Sequence, residues 1–370
     1  MSKILFYYSD YGANVIRTEQ NLPGGVGYYR IIKPSQAVKG HEVTVIGKEL
    51  MKFGDTPEQR WWRIFNQYDV FWCSYFSDPK EASAMFSARD RLGKKVVIDC
   101  DDNFLDVLES HPLYDKLKGG KRDKAFMATI LSFADVIVVS TEPLKQRFRK
   151  HFKEIHNLEK KIVILPNMND KKDFDYKIVD KNTDKIVIGY VGSNSHQDDL
   201  AMFMPNLMKI MRKYKNVYFE SIGSIHKRDL WMFKDFTHDE MNRCDLLPAT
   251  WTFKEYPEML SKLKWDISVA PLTDNPFSRC KSHIKFMEMG IFKMPVIASR
   301  VYPYFMDIGN RKVITHENTG LLVKPSEWFD AMEDLILHKD KRIQLGQNAY
   351  NHIVENWQYD ISNIIDEILA

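Results

Sequence analysis

Four cysteines, Cys73, Cys100, Cys244 and Cys280, are scattered through this chain, and no two of them make a CxxC pair. Such spacing offers neither a zinc knuckle nor a disulfide framework, and it suits a reducing compartment. No apolar run approaches the roughly 20 residues that a membrane-spanning helix needs. Any membrane contact is therefore expected to be peripheral, with the chain cytoplasmic or at the inner membrane face. The early run Ile4-Leu5-Phe6-Tyr7-Tyr8 is too short to span and lacks a cleavage site, so it reads as a first buried strand. Excess charge is also missing. The 53 basic and 50 acidic residues leave a net +3, far from a polycation built for nucleic acid. There is no GxGxxG, so a dinucleotide cofactor is not indicated. No metal-ligand spacing stands out beyond the acids Asp99, Asp101 and Asp102.

What is present is ordinary globular material. Hydrophobic residues make up 44% and charged residues 28% of 370 positions, enough for two domains of normal size. The order of elements is more telling. Lys3 to Tyr8 is apolar, Pro23-Gly24-Gly25-Val26-Gly27 is a turn, a helix is predicted from Tyr28 to about Lys39, and Gly40 to Ile46 leads into a second strand. This β–loop–α–β opening belongs to a doubly wound sheet. Strands are predicted at Tyr68–Ser74, Lys95–Asp99, Val136–Ser140 and Ile162–Leu165, with helices at Pro79–Leu92 and Lys124–Phe133. The acids Asp99, Asp101 and Asp102 fall where a strand ends, the favoured ligand position in open α/β sheets. A turn or helix cap made from the same residues is the alternative.

The segment 169–185 is rich in Asp and Lys and reads as a linker. A second alternation follows. Lys185–Gly192 is a strand, Ser193–Asp199 a loop, and Leu200–Met211 a helix with Leu200, Phe203, Met204, Leu207 and Met211 on one face. Later strands are predicted at Val217–Ile222, Trp251–Phe253 and Ile267–Pro271. The run Ser326–Ala370 is helical. Two α/β domains in tandem imply a cleft between them, the default place for a ligand.

The stretch Arg279–Ser299, RCKSHIKFMEMGIFKMPVIAS, carries most of the chemistry. Ser278 or Ser282 can cap a helix there. Lys281, Lys285 and Glu288 are spaced i, i+4, i+7 and would share a face, with Ile284, Met287 and Ile291 packed inward. Two cations at a helix start suit a diphosphate, and a carboxylate suits ribose hydroxyls. A solvated polar face is the alternative.

Six segments, in order, resemble retaining glycosyltransferase family 4 of the GT-B fold. They are Gly24-Gly25 with Gly40–Val45, Ala134–Thr141 (ADVIVVST), Pro166–Asp170 (PNMND), Ile188–Ser193 (IGYVGS), Asp266–Leu272 followed by Lys281–Ser299, and Gly320–Val323 (GLLV). The resemblance implies an α/β chain of two Rossmann-like domains facing a cleft. The acceptor domain would span 1–168 and the linker 169–185. The nucleotide-sugar donor domain would span 186–350, and a helix at 351–370 would cross back, anchored by Trp357 and Tyr359. It implies transfer of a hexosyl or pentosyl group, with retention, from a UDP-, GDP- or other sugar nucleotide, without a required cofactor or metal. Glu288 would bind donor ribose and Lys285 the diphosphate or sugar.

Two departures stand out. Many members have an acid at the position of Cys280, eight before Glu288. Many also have an Arg where Ser193 follows Gly192, and a Lys in the region of His196, Gln197 and Asp198. Lys281, Lys285 and Arg279 are then expected to supply the charge, helped by backbone N–H groups of Ser193 and Asn194. Gly25 and Gly192 would let backbone approach the donor. Asp101, Asp102 and His111 are the candidates on the acceptor side. Arg30 and Lys33, one turn apart, would meet a phosphate or be exposed helix charges.

The acceptor is open at this level. Basic clusters at Lys116–Lys124 and Lys145–Lys161 mix with Phe148, Phe152 and Ile155. They fit an anionic membrane and a cell-surface or lipid-linked glycan. They also fit DNA with hydroxymethylated bases, or a plain solvated face. A non-catalytic sugar-nucleotide-binding protein is the remaining reading.

Overall fold

The computed structural model describes residues 1–8, 24–47, 50, 53–54, 56–74, 78–111, 114, 124–178, 183–223, 231–248, 252–308, 311–357 and 361–370. The first sheet contains β1 (Lys3–Tyr7), β2 (Glu42–Ile46), β3 (Val70–Ser74), β4 (Lys95–Asp99), β5 (Val136–Val139) and β6 (Ile162–Ile164). All pairs are parallel, in the order β2-β1-β3-β4-β5-β6. Central strands such as Val70–Ser74 are buried along their whole length. That is what a parallel sheet covered on both faces demands of its residues.

The second sheet contains β7 (Ile186–Val191), β8 (Val217–Ile222), β9 (Cys244–Leu247), β10 (Ile267–Ala270) and β11 (Val296–Ser299). A short hairpin, β12 (Asp307–Ile308) with β13 (Arg311–Lys312), precedes the last member, β14 (Leu321–Val323). The order is β14-β11-β10-β7-β8-β9, again all parallel. Gly189 in β7 lies under the Trp265 ring, where any Cβ would overlap it.

Two local expectations need correcting. Thr252 and Phe253 lie in a turn before the helix Tyr256–Ser261, not in a strand, and Trp251 is outside the described residues. The edge strand is Cys244–Leu247, which alternates half-buried and exposed positions and so lacks the apolar run of the central strands. The helix Pro57–Gln67 also escapes a purely apolar reading. Its start is fixed by a capping box between Thr56 and Gln59.

The C-terminal helices are Trp328–Leu337, Lys339–Asn356 and Ser362–Leu369. The last one crosses back onto the first domain. Ile361, Ile365 and Ile368 bury into the cluster that holds Ile4, Phe6 and Trp72. Lys95 and Lys161 of the first domain donate to the carbonyls of Leu369 (2.9 Å) and Glu367 (2.6 Å). The anchor is thus this isoleucine face. Trp357 packs on the second domain's side, its ring centroid 4.4 Å from that of His283, and Tyr359 lies outside the described residues.

The two domains also exchange side chains. Phe277 and Cys280, which follow β10, sit in the first domain's core. Tyr28 and Tyr29, from the first helical stretch, sit in the second domain's core, with Tyr28 stacked on Phe253 at 3.3 Å between centroids.

Candidate functional site

The carboxyl ends of β4, β7 and β10 meet between the domains. After β4 comes Asp99-Cys100-Asp101-Asp102; after β7 comes Gly192–Asp199; after β10 comes the loop that reaches Lys281. A crevice at this junction is lined by His111 from one domain and by Ser195, His196, Asp199, Thr273 and Lys281 from the other.

The acidic cluster is divided by its partners. Asp99 belongs to the interior. Its two oxygens take Arg30 Nε at 2.8 Å and Nη2 at 2.9 Å, and Arg30 Nη1 also donates to the Leu165 carbonyl and to Asn167 Oδ1. Arg30 is 0% exposed. It is therefore neither a phosphate contact nor an exposed helix charge, but the centre of a buried, fully hydrogen-bonded network. Lys33 is likewise engaged. It bridges to Asp170 at 3.0 Å and to Asp173, joining the first helical stretch to the linker segment.

Asp102 accepts from Lys281 Nζ at 2.6 Å across the domains. Burial opposes its charge, but the Lys281 ammonium prevails and holds its carboxyl below the usual range. Asp101 goes the other way. Burial, with the neighbouring Asp102 charge, pushes its carboxyl up to about 7. His111 is buried, edge-on to Phe277 with centroids 5.1 Å apart. Burial and then Lys281 lower its pKa, against the pull of Asp102.

The helix Ile284–Gly290 brings Lys285 and Glu288 to one side. It starts later than the spacing suggests. Lys281 lies ahead of it, after the 3-10 turn Ser278–Cys280, and His283 stands at its N-cap without a capping side-chain bond. Neither Ser278 nor Ser282 caps it; the Ser282 hydroxyl instead accepts from Asn167 of the first domain at 3.0 Å. Lys285 Nζ donates to Tyr190 Oη at 3.2 Å, and burial brings its pKa down to about 8. Glu288 is 7% exposed and accepts two phenols, Tyr29 Oη at 3.1 Å and Tyr256 Oη at 2.9 Å. Burial raises its carboxyl to about 7, against the pull of both hydroxyls and of Lys285.

The remaining expected residues are less central. Arg279 is exposed and paired with Asp274 at 2.7 and 3.1 Å. Gly25 is exposed at the start of the first helical stretch, and a Cβ there would meet nothing. Gly192 donates to the Ile222 carbonyl at 3.2 Å. Ser193 is exposed, with its hydroxyl 2.6 Å from that of Ser195. Asn194 opens a 3-10 turn that runs into the helix Gln197–Lys213. The first turn of that helix holds Asp198 and Asp199, so acid already meets the positive end of its dipole.

Four residues that carry this geometry escaped the sequence reading: Asp199, Thr273, Tyr29 and Tyr256. For Asp199 a signal existed, since His196 and Asp199 are three apart at the start of a helix that follows a strand. The two tyrosines reach Glu288 from distant segments, and spacing cannot reveal that.

No family model matches the chain, and no curated protein matches it. Solved structures do. A glycosyltransferase from Rickettsia africae superposes with TM-score 0.64 at 15% identity, covering 100% of this chain and 99% of its own. HepE from Anabaena, solved in complex with UDP and glucose, gives 0.59 at 14%, covering 100% and 98%. TarM gives 0.56 at 15%, covering 81% of this chain and 54% of TarM, so the chain spans about half the length of that protein. This is the GT-B fold. Among the described residues, no helix is long and apolar enough to cross a membrane.

Proposed function

We propose that the chain is a glycosyltransferase that moves a sugar from a nucleoside diphosphate sugar to an acceptor hydroxyl. The observation that carries this is a GT-B fold in which Lys281 lines the interdomain crevice, with Lys285 and Glu288 on the helix that follows it. The two ammonium groups suit the diphosphate, whose charge grows as the glycosyl bond breaks. Glu288 suits the ribose hydroxyls. An ionised carboxylate has about four acceptor positions, and two are taken here.

The reaction we infer keeps the anomeric configuration. The acceptor oxygen bonds to the anomeric carbon while the carbon–phosphate oxygen bond breaks through an oxocarbenium-like state. The electron pair leaves with the diphosphate. The acceptor proton passes to the departing phosphate oxygen, so no protein nucleophile is needed. His111 lines the crevice from the first domain, and with Asp101 and Asp102 it would orient the acceptor. Asp101, with its carboxyl near 7, exists in both protonation states at neutral pH.

The acceptor we favour is a lipid-linked or cell-surface glycan. The helix Glu142–His151 and the π-helical turn Phe152–His156 bury Phe148 and Phe152 but leave Ile155 66% exposed. Arg149, Lys150 and Lys153 are exposed beside it. Cations next to an exposed apolar residue suit an anionic lipid surface better than a run of DNA phosphates. Transfer assays with UDP- and GDP-sugars decide the matter. They would offer a lipid-linked saccharide, hydroxymethylated duplex DNA and a soluble oligosaccharide in parallel. Product on the lipid-linked acceptor is the expected result. Product only on DNA, or none with any acceptor, would overturn the acceptor or the activity respectively.

A further inference from the structure

The crevice wall holds a linked set of buried polar groups. Asp199 is 5% exposed, in the first turn of the helix Gln197–Lys213. Its Oδ1 accepts the Thr273 backbone N–H at 2.6 Å and the Thr273 hydroxyl at 2.9 Å. Its Oδ2 lies 2.7 Å from His196 Nδ1. A carboxylate can only accept, so the ring proton sits on Nδ1 and Nε2 is left with a bare lone pair. Among the described residues, none donates to Nε2. His196 lines the crevice together with His111, Ser195 and Lys281. Burial, and then Lys285, hold its pKa down to about 4, so the ring is not a cation at neutral pH.

This combination selects its ligand by chemistry. A neutral imidazole with one acceptor lone pair gives nothing to an ionised phosphate oxygen, which has no proton to share. It pairs with a hydroxyl. We propose that His196 is a sugar-recognition residue. Its Nε2 accepts a hydrogen bond from a hydroxyl of the transferred sugar, while Asp199 and Thr273 are positioning residues that fix the tautomer. The proposal rests on the sugar-nucleotide reading above and adds to it the group that reads the sugar. The cations of Lys281 and Lys285 take the diphosphate, and the loop after β7 turns toward the sugar instead. A site built to pair with a hydroxyl discriminates strongly against an analogue that lacks it.

The test compares binding of UDP, UDP-glucose, UDP-N-acetylglucosamine and GDP-mannose by calorimetry. Wild type, His196→Ala and Asp199→Asn are measured, each checked for a cooperative thermal melt. An asparagine amide at 199 would donate to Nδ1 and leave Nε2 protonated, which inverts the hydrogen-bonding sense. The expected result keeps free-nucleotide affinity within about twofold in both variants; His196→Ala loses the extra affinity of the sugar-bearing ligand by about tenfold or more, and Asp199→Asn, whose Nε2–H a hydroxyl can still accept, loses less. A deoxy-sugar analogue lacking the paired hydroxyl should bind wild type no better than it binds the variants. Should folded His196→Ala retain the full preference for the sugar-bearing ligand, the proposal is overturned. Failure of wild type to bind any of these ligands would overturn the sugar-nucleotide reading itself, a distinct outcome. Should His196→Ala not fold, His196→Phe, which keeps the ring and removes the lone pair, carries the test in the same direction.

Discussion

Tyr29 of the first domain donates its phenolic hydroxyl to Glu288 Oε1 of the second, 3.1 Å away, while Tyr256 holds Oε2 at 2.9 Å. The carboxylate expected to meet ribose thus also ties the domains together. Opening or closing the cleft must change the environment of this one group.

A pH window follows. Glu288 is raised from 4.5 to about 7 by burial, and Lys285 is lowered from 10.5 to about 8, also by burial. Donor binding that needs both charges should fall below about 7 and above about 8. Removing a hydroxyl that favours the charged carboxylate moves the acid limb. Tyr256→Phe should shift it upward by about one pH unit, since a hydrogen bond to a charged group is worth about 1.5–3 kcal/mol and one unit is 1.36 kcal/mol. The profile of kcat/KM against pH measures it, because that ratio reports the free enzyme.

The same shift has a sign for stability. Below 4.5 Glu288 is protonated whether folded or unfolded. Between 4.5 and about 7 only the folded chain keeps the proton, so the stability this confers is lost as pH rises through 7. Glu288→Gln should flatten that decline, by on the order of 3 kcal/mol at most. Denaturant titrations at pH 5 and pH 8, for wild type and variant, give the comparison.

Lys281 is held at 2.6 Å by Asp102, yet a diphosphate would compete for it. The pair is partly exposed, so Asp102→Asn should cost less than about 1 kcal/mol of stability. Nucleotide affinity should rise severalfold because the ammonium is freed. A fall in affinity would mean that Asp102 aims Lys281 at the ligand.

Arg30 and Asp99 form an ion pair with no access to water. Arg30→Ala leaves Asp99 buried and uncompensated, a loss of about 3–5 kcal/mol. An Arg30→Met, Asp99→Leu double variant should recover part of that. Unfolding midpoints in urea distinguish the two.

Cys280, where the resemblance in the sequence leads one to expect an acid, lies in a packed apolar setting. It is 4% exposed in the first domain's core, its sulfur 3.4 Å from Asn103 Nδ2. Burial pushes its thiol up to about 12. Cys280→Glu should destabilise the docked loop by several kcal/mol, since an unpaired charge would be enclosed there. Cys280→Ser should cost much less. Thermal melts of both variants read the difference.

How much of this was legible in the sequence depends on range. A strand such as Val136–Val139 is written as a continuous apolar run, because both faces of a parallel sheet are covered. The edge strand Cys244–Leu247 is half exposed and its pattern is weak. At the site, Lys285 and Glu288 share a short helix, so spacing finds them. Arg30 looked like Lys33, a helix charge one turn away, and only the fold places one in the core and the other on the linker acids. Tyr29 and Glu288 are 259 positions apart. Nothing local predicts such a contact, which depends on how two finished domains dock.

The most direct measurement of the central claim is nucleotide release from UDP-, GDP-, ADP- and CDP-sugars by wild type and by Lys285→Met. The account predicts release from one donor class by wild type, and a loss of about a hundredfold or more in the variant, in line with removal of a charge that stabilises the leaving group. Equal release by both proteins, or no release from any donor by well-folded wild type, would contradict it.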